Sequence, residues 1–237
     1  MKKLALFFIL LPIFPLAQES DAQFWTGSAV KVRIIKNLSA YYETQLRFDQ
    51  NISRFNQYYS ELGTKYEVLD GLNLGLIYRY ARKNSGDYFF NQNRFCVDAS
   101  YGLDLFAGFS LKTRARYQHA FDRFKTVNNV LPDEKSVYRQ SFKLSYRHSE
   151  FKLIQPYIGG EIFHALQPTN ESAGFLDTYR LKTGFVIDLP KRFEIKAFYT
   201  FEKENRTIDN FNHIYGVQLN WEVKKKLIRK KKTESND

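Results

Sequence analysis

The fold is decided by residues 109–119, which read FSLKTRARYQH. Apolar or small side chains occupy every second position, and Ser, Lys, Arg, Arg and Gln fill the positions between them. Successive side chains of a strand point to opposite faces of a sheet, so this period of two predicts a strand with one apolar and one polar face. As a helix, the same residues would scatter charge around the whole circumference.

The same alternation recurs along the chain. Such segments have about 10 to 13 residues, the length that a tilted strand needs to cross a bilayer, whereas soluble strands have about five or six. With residues 109–119 they amount to eleven predicted strands. The clear ones are 40–49, 72–81, 138–147, 179–187, 193–201 and 215–223, and the weaker ones are 24–36, 58–69, 94–103 and 153–164.

The predicted connections alternate between two length classes, as expected for short periplasmic turns and longer external loops. We therefore predict an all-β, antiparallel transmembrane β-barrel of about 10–12 strands, with a polar lumen and a lipid-facing apolar exterior. Single-chain bacterial barrels have an even number of strands. Either the first segment is not a wall strand, or one strand near the N-terminus is missing from the count. The short connections lie near 36–37, 70–71, 104–106, 149–151 and 189–191, and the long ones at about 50–57, 82–93, 120–136, 165–177 and 203–211.

The N-terminus has the form of an export signal. A charged start, Met1-Lys2-Lys3, is followed by an apolar stretch from Leu4 to Leu16. We predict a signal peptide over 1–17, with cleavage possible up to Ala22, then a barrel domain over 18–223 and a basic tail over 224–237. These features predict the cell outer membrane as the location, with the tail in the periplasm.

Composition and charge narrow the partners. Aromatic residues form 17% of the chain, which suits strands and membrane-interface belts. The formal charge of +11 is concentrated at the ends, where the tail alone contributes seven Lys or Arg against Glu234 and Asp237. Export separates the protein from nucleic acid, so we predict that its partner is outer-membrane lipid and not nucleic acid. The single cysteine, Cys96, excludes an intrachain disulfide, and no cofactor or metal site is predicted.

The basic tail has two interpretations. Its run of Lys and Arg from Lys224 to Lys232 is suited to anionic lipid headgroups or cell-wall polymer. The alternative is a disordered solubilising extension.

The polar strand faces supply the candidate functional residues. In a membrane barrel they line the lumen, where opposite charges pair because an isolated charge in a confined interior is costly. Two interpretations follow: a plug of salt bridges that closes the barrel, or a narrow passage for a small polar solute, in which the excess of Arg and Lys favours anions. The predicted lumen residues are Glu43, Arg47, Glu61, Lys65, Glu67, Arg79, Asp98, Lys112, Arg114, Arg116, Arg139, Lys143, Arg147, Glu161, Arg180, Lys182, Glu194 and Lys196.

Two other classes of protein remain as alternatives. An outer-membrane hydrolase acting on lipid or peptide would use histidines near the long loops, within reach of a carboxylate. No nucleophile elbow, HExxH or paired-carboxylate signature accompanies them, so we predict that the protein is not an enzyme. A soluble periplasmic ligand-binding barrel would show the same alternation with the faces reversed. The histidines are His119, His164 and His213, with Asp122, Glu171 and Asp209 as the carboxylates.

Four short motifs resemble a known family. They are Phe24-Trp25-Thr26, the 111–117 strand LKTRARY, Gln155-Pro156-Tyr157 with Glu161-Ile162-Phe163, and the 178–184 strand TYRLKTG. In these the chain resembles the domain-of-unknown-function 2490 family of outer-membrane proteins from Gram-negative bacteria, over about 24–223. The resemblance implies a β-barrel of unassigned function and supplies no catalytic residues. The basic tail after Trp221 departs from a barrel that ends at an aromatic residue.

Overall fold

The structure, a computed structural model, describes residues 20–121, 135–148, 150, 153–167, 175–205 and 210–223. The predicted signal peptide and the basic tail lie outside these residues, as do Asp122, Glu171 and Asp209. Among the described residues, no helix has the length and apolarity that a bilayer span requires.

Eleven strands form the described part of the chain. They contain 12 to 16 residues each, which is enough for a tilted strand to cross a bilayer. Their bounds are β1 Ser20–Arg33, β2 Leu38–Asp49, β3 Arg54–Leu69, β4 Leu72–Asn84, β5 Phe89–Asp104, β6 Phe109–Phe121, β7 Lys135–Tyr146, β8 Ile154–Ala165, β9 Leu176–Leu189, β10 Phe193–Glu204 and β11 Asn210–Val223.

The strands close into one barrel in chain order. Sequential neighbours pair antiparallel, and the ring is closed by a parallel pairing of β1 with β11, from Ser20 opposite Phe211 to Val32 opposite Val223. An odd number of alternating strands makes the first and last run in the same direction, so a parallel ladder is the pairing that leaves no open edge. The expected even number of strands is therefore wrong, and the first predicted segment is a wall strand.

The two ends of the barrel differ in their connections, although less than predicted. At the short-turn end, Asp70 and Gly71 suffice to join β3 to β4, and Gly71 adopts the left-handed conformation with φ 77°. One-turn 3-10 helices, Phe106–Gly108 and Pro190–Arg192, make two further turns there. At the opposite end, two connections predicted to be long contain only residues 50–53 and 85–88, because β3 and β5 begin earlier than their sequence pattern indicates.

Side chains alternate between a buried polar inner face and an exposed apolar outer face. On β3, Glu61 is 4% exposed and its neighbour Leu62 is 58% exposed, and on β4 Leu76 is 65% exposed and Arg79 9%. A soluble barrel requires the reverse arrangement, with apolar residues inside. The structure thus confirms the predicted barrel with a polar lumen and an apolar exterior.

Aromatic pairs cover both ends of the outer wall. Near the short-turn end, the rings of Phe193 and Trp221 stack with centroids 5.6 Å apart. Near the other end, Phe95 stacks on Phe121 at 5.7 Å. Two such belts at opposite rims suit the two interfaces of a bilayer.

Candidate functional site

The inner wall is built from rungs, which are inward-facing residues paired directly across neighbouring strands. From β6 to β10, one rung consists of Arg114, Ser141, Glu161, Arg180 and Glu202. Two residues closer to the short-turn end, the next rung of the same strands consists of Lys112, Lys143, Gly159, Lys182 and Thr200. These two rungs organise the candidate site.

Three arginines share one carboxylate in the first rung and its surroundings. Glu161 Oε1 lies 2.8 Å from Arg114 Nη2 and 2.8 Å from Arg139 Nη2, and its Oε2 lies 3.7 Å from Arg180 Nη1. Arg180 also pairs through Nε with Glu202. Each carboxylate is therefore neutralised where it is buried, which offsets the cost of removing the charges from water.

Stacked side chains continue this network across the lumen. The guanidinium carbon of Arg47 on β2 lies 3.7 Å from the ring centroid of Trp25, and that of Arg180 on β9 lies 5.4 Å from the same ring. Arg180 and Arg139 in turn stand over Phe163, at 4.6 and 4.3 Å. The strands carrying Trp25 and Arg180 are separated by two others in the wall, a path of roughly 14 Å at the usual strand spacing. Their contact must therefore run through the barrel interior.

We call this level the waist. It comprises Trp25, Arg114, Arg139, Glu161, Phe163, Arg180 and Glu202.

The opposite wall carries its own ion pairs. Arg116 forms a two-pronged contact with Asp98, with Nε 2.6 Å from Oδ1 and Nη2 2.7 Å from Oδ2. Arg79 Nη2 lies 2.5 Å from Glu61 Oε2, and the Tyr41 hydroxyl donates to Glu61 Oε1 at 2.8 Å. Planar guanidinium groups match carboxylates in this paired geometry, so both walls of the lumen are tied by arginine.

The second rung borders a cavity of about 240 Å³ that we call the lysine chamber. Its lining includes Lys112, Lys143, Lys182 and Thr200, with Trp25 and the first rung on the waist side. None of the three lysines has a carboxylate at ion-pair distance within the described part of the chain. The chamber is thus a basic compartment directly beside a charge-paired one.

The structure places the predicted lumen residues on the inward face of their strands, except Arg147. That residue follows β7 and pairs with Asp188 through Nη1 and Oδ2 at 2.8 Å. Glu43 accepts a hydrogen bond from the Tyr59 hydroxyl at 2.5 Å. The ion-pair contacts bring together most of the predicted arginines and carboxylates, whereas the predicted lysines gather in and around the chamber.

Several residues that are central to the site are absent from the sequence-based prediction. All of them face inward and are at most 8% exposed: Trp25, Tyr59, Phe163, Thr200 and Glu202. Four of them lie an even number of positions from a predicted inward residue on the same strand, and Trp25 is paired with Arg47. Alternation along the strand could therefore have identified them. Selection by charge misses the three aromatic rings and Thr200, and Glu202 lies beyond the predicted strand 193–201.

The three histidines lie on the outer wall near the long-loop end. His119 Nδ1 lies 2.9 Å from the hydroxyl oxygen of Ser136, which is 6% exposed. His213 Nδ1 lies 2.8 Å from the Tyr199 hydroxyl, and His164 stacks on Phe175 at 4.6 Å. Their predicted carboxylate partners lie outside the described residues. Within those residues, no cluster of His, Cys, Asp or Glu has the arrangement of a metal site.

Comparison with known proteins identifies the family. No curated protein matches the sequence. The fold is similar to the β domain of the Bordetella autotransporter BrkA, with 13% identity, a TM-score of 0.47 and coverage of 74% of this chain and 78% of that one. It is also similar to the translocator domain of the autotransporter NalP from Neisseria meningitidis, with 13% identity, a TM-score of 0.49 and coverage of 77% and 73%.

Residues 22–213 match the family described as protein of unknown function (DUF2490). The chain, a closed β-barrel with an apolar exterior, therefore belongs to that family.

Proposed function

We propose that this barrel is closed at its waist and serves as a structural and binding element of the outer membrane, not as an open pore. The observation that carries the proposal is the contact of Trp25 with Arg180 through the barrel interior. Arg47 on β2 stands over the same indole, so these side chains reach through the interior from β1 and β2 to β9. A narrow passage would require this contact to open.

Burial of the charged groups supports a closed lumen. Arg116 is 6% exposed, Arg139 9% and Glu202 3%, although all three face the inside of the barrel. In a water-filled pore such side chains would be solvated. Their burial means that neighbouring side chains, rather than a continuous water column, surround them.

Conductance across planar bilayers tests the proposal. We expect the wild-type protein to give no stable current steps and the double variant Trp25→Ala/Phe163→Ala to give them, because it removes both rings against which Arg180 packs. Trp221→Ala is the matched control, since it removes an indole from the outer wall, where Trp221 is 42% exposed. Current steps in the wild type, equal to those of the double variant, would show that the waist is open.

A lipid hydrolase is a second candidate, supported by the contact of His119 with Ser136. A histidine within hydrogen-bond reach of a serine hydroxyl is the arrangement that activates a nucleophile. The serine is nevertheless buried, and its hydroxyl also lies 3.3 Å from that of Tyr117. We therefore rank hydrolysis below the structural and binding role.

Hydrolysis of phospholipid and of casein by the detergent-extracted protein separates the two candidates. The structural proposal expects no turnover by the wild type. Turnover that Ser136→Ala abolishes, and that Ser60→Ala on the same outer wall leaves intact, would establish the enzyme instead.

For the topology, we propose that the short-turn end and the tail face the periplasm. Short turns are typical of the periplasmic side of such barrels, and β11 ends at Val223 on that side. An epitope placed after Asp237 should be inaccessible to antibody on intact cells and accessible after the outer membrane is permeabilised. Labelling of intact cells would reverse the orientation.

A further inference from the structure

We propose that the lysine chamber binds a small, water-soluble oxyanion carrying more than one negative charge, of the phosphate class. The inference deepens the proposed binding role, because it assigns a ligand class to the space beside the closed waist.

The charge arrangement breaks a rule of sheet pairing. Lys112 and Lys143 face each other directly across β6 and β7, where like charges are destabilising. Lys182 follows on the same rung, with only Gly159 between it and Lys143. Among the described residues no carboxylate compensates at ion-pair distance, and a local violation of this kind is expected where a site serves a function.

The surrounding charges reinforce the basic character. Lys112 interacts electrostatically with Lys65, Arg114 and Lys196 as well as with Lys143. The acidic groups that act on the three lysines are Glu194, which acts on Lys143, and Glu161, which acts on Lys182. Because Glu161 is held by arginines, the chamber keeps an excess of positive charge that a bound anion would neutralise.

Aromatic rings position two of the ammonium groups. Lys143 Nζ lies 4.2 Å from the ring centroid of Tyr157, and Lys182 Nζ lies 4.0 Å from that of Phe198. A cation over an aromatic face is attracted to it without being neutralised. Both charges are thus placed at the chamber wall and remain available to a ligand.

Thr200 supplies an independent sign of a missing partner. Thr200 is 2% exposed and lines the chamber. Its side-chain hydroxyl has no hydrogen-bond partner among the described residues. A buried hydroxyl without a partner is costly. The hydroxyl oxygen is itself buried, and a rotation of the side chain would let it donate to an oxyanion in the chamber.

The size and access of the chamber fit a small solute. A volume of about 240 Å³ corresponds to roughly eight molecules of liquid water. Lys112 is solvent-exposed although it faces the lumen, so water reaches the chamber on the side away from the waist. Lysine is a compact, hydrated charge that binds phosphate groups as a point charge, and the continuous barrel wall separates the chamber from lipid headgroups.

Calorimetric titration of the full mature chain in neutral detergent tests the proposal, with inorganic pyrophosphate as the probe. We expect saturable binding at one site per chain. The variant Lys112→Gln/Lys143→Gln/Lys182→Gln should weaken it by about a hundredfold or more, because each lost hydrogen bond from a charged group costs about tenfold or more. Lys36→Gln, in the exposed turn between β1 and β2, is the matched control and should bind like the wild type.

Thr200→Val separates a ligand contact from a structural role. The substitution keeps the shape and removes the hydroxyl, so we expect pyrophosphate binding about tenfold weaker with no loss of resistance to unfolding. Unchanged binding in Thr200→Val and in the triple variant would overturn the proposal, and so would the absence of saturable binding to the wild type.

Two further measurements identify the source of the anion and separate the anion site from the proposed closed waist. Phosphatidylglycerol added to the micelles should not compete with pyrophosphate, and competition would assign the site to lipid. Binding is measured independently of conductance. Current steps with intact pyrophosphate binding would refute only the closed waist, and a silent barrel without binding would refute only the anion site.

Discussion

Adjacent rungs of the same five strands show opposite electrostatic design. In the waist rung, Glu161 lies between arginines and Arg180 lies between carboxylates, so neighbouring charges alternate in sign. In the lysine rung, two residues away, Lys112, Lys143 and Lys182 carry one sign only. Both rungs lie on the same five strands and face the lumen, so the difference between them lies in the side chains.

The type of cation follows the same division. Guanidinium groups present a planar fork that pairs with carboxylates and stacks on rings, and the waist uses arginine for both purposes. Ammonium groups are compact and rotate freely, which suits a mobile or exchangeable partner. The arginines of the waist therefore suit fixed ion pairs within the protein, and the lysines of the chamber suit a ligand that binds and dissociates.

The largest expected effect is on the waist. Glu161→Gln removes the carboxylate that Arg114, Arg139 and Arg180 share, and leaves buried positive charge without compensation. Breaking a buried ion pair in this way costs about 3–5 kcal/mol. We expect the free energy of unfolding to fall by about that amount, measured by urea denaturation in lipid with the fluorescence of the two tryptophans as the probe.

The same substitution at Glu194, on the inner face of β10 close to the short-turn end, provides the control. Glu194→Gln removes a carboxylate that has no partner at ion-pair distance within the described residues, so the change should stay within about 0.5 kcal/mol. Equal destabilisation by the two variants would erase the distinction between the two regions.

Thiol labelling sharpens the comparison of access. Cys96 is the only cysteine of the chain and is 3% exposed, so a charged maleimide should react with it slowly in the folded barrel. In a Cys96→Ser background, Lys112→Cys should react at least about tenfold faster, because Lys112 is exposed to water inside the chamber.

Leu111→Cys in the same background gives the lipid-side control. Leu111 is 36% exposed on the outer wall, so in bilayers it should be protected from a charged reagent. Fast labelling of Leu111→Cys with slow labelling of Lys112→Cys would reverse the assignment of the two faces.

The fold could largely be predicted because each strand carries its own signal. The period of two in residues 109–119 depends only on the pleat of a strand, and β6 spans Phe109–Phe121 as that pattern requires. Closure could not be predicted in this way. The parallel pairing of Ser20–Val32 with Phe211–Val223 joins the two ends of the chain, and no local pattern reports it.

The sequence predicts which face of the sheet each candidate residue occupies, but it does not predict which residues contact one another. Alternation placed Lys112 and Arg114 on the inner wall, whereas the partners of each depend on register. A shift of two residues between β7 and β8 would keep every face and would move Glu161 from Ser141 to a different residue. The contact of Trp25 with Arg180 depends in addition on the diameter of the closed barrel, which no single strand encodes.

The smallest expected effects come from exchanging the two cations. Arg180→Lys in the waist keeps the charge but loses the fork that contacts Glu202 and the faces of Trp25 and Phe163, so we expect a loss of about 1–2 kcal/mol in the free energy of unfolding. Lys182→Arg in the chamber also keeps the charge, and a point charge toward an oxyanion depends little on shape, so pyrophosphate affinity should change by less than about threefold. Urea denaturation and calorimetry measure the two variants. If Lys182→Arg abolishes binding while Arg180→Lys leaves stability unchanged, the shape of the cation matters in the chamber and its charge alone suffices in the waist, which is the opposite of the division inferred from the two rungs.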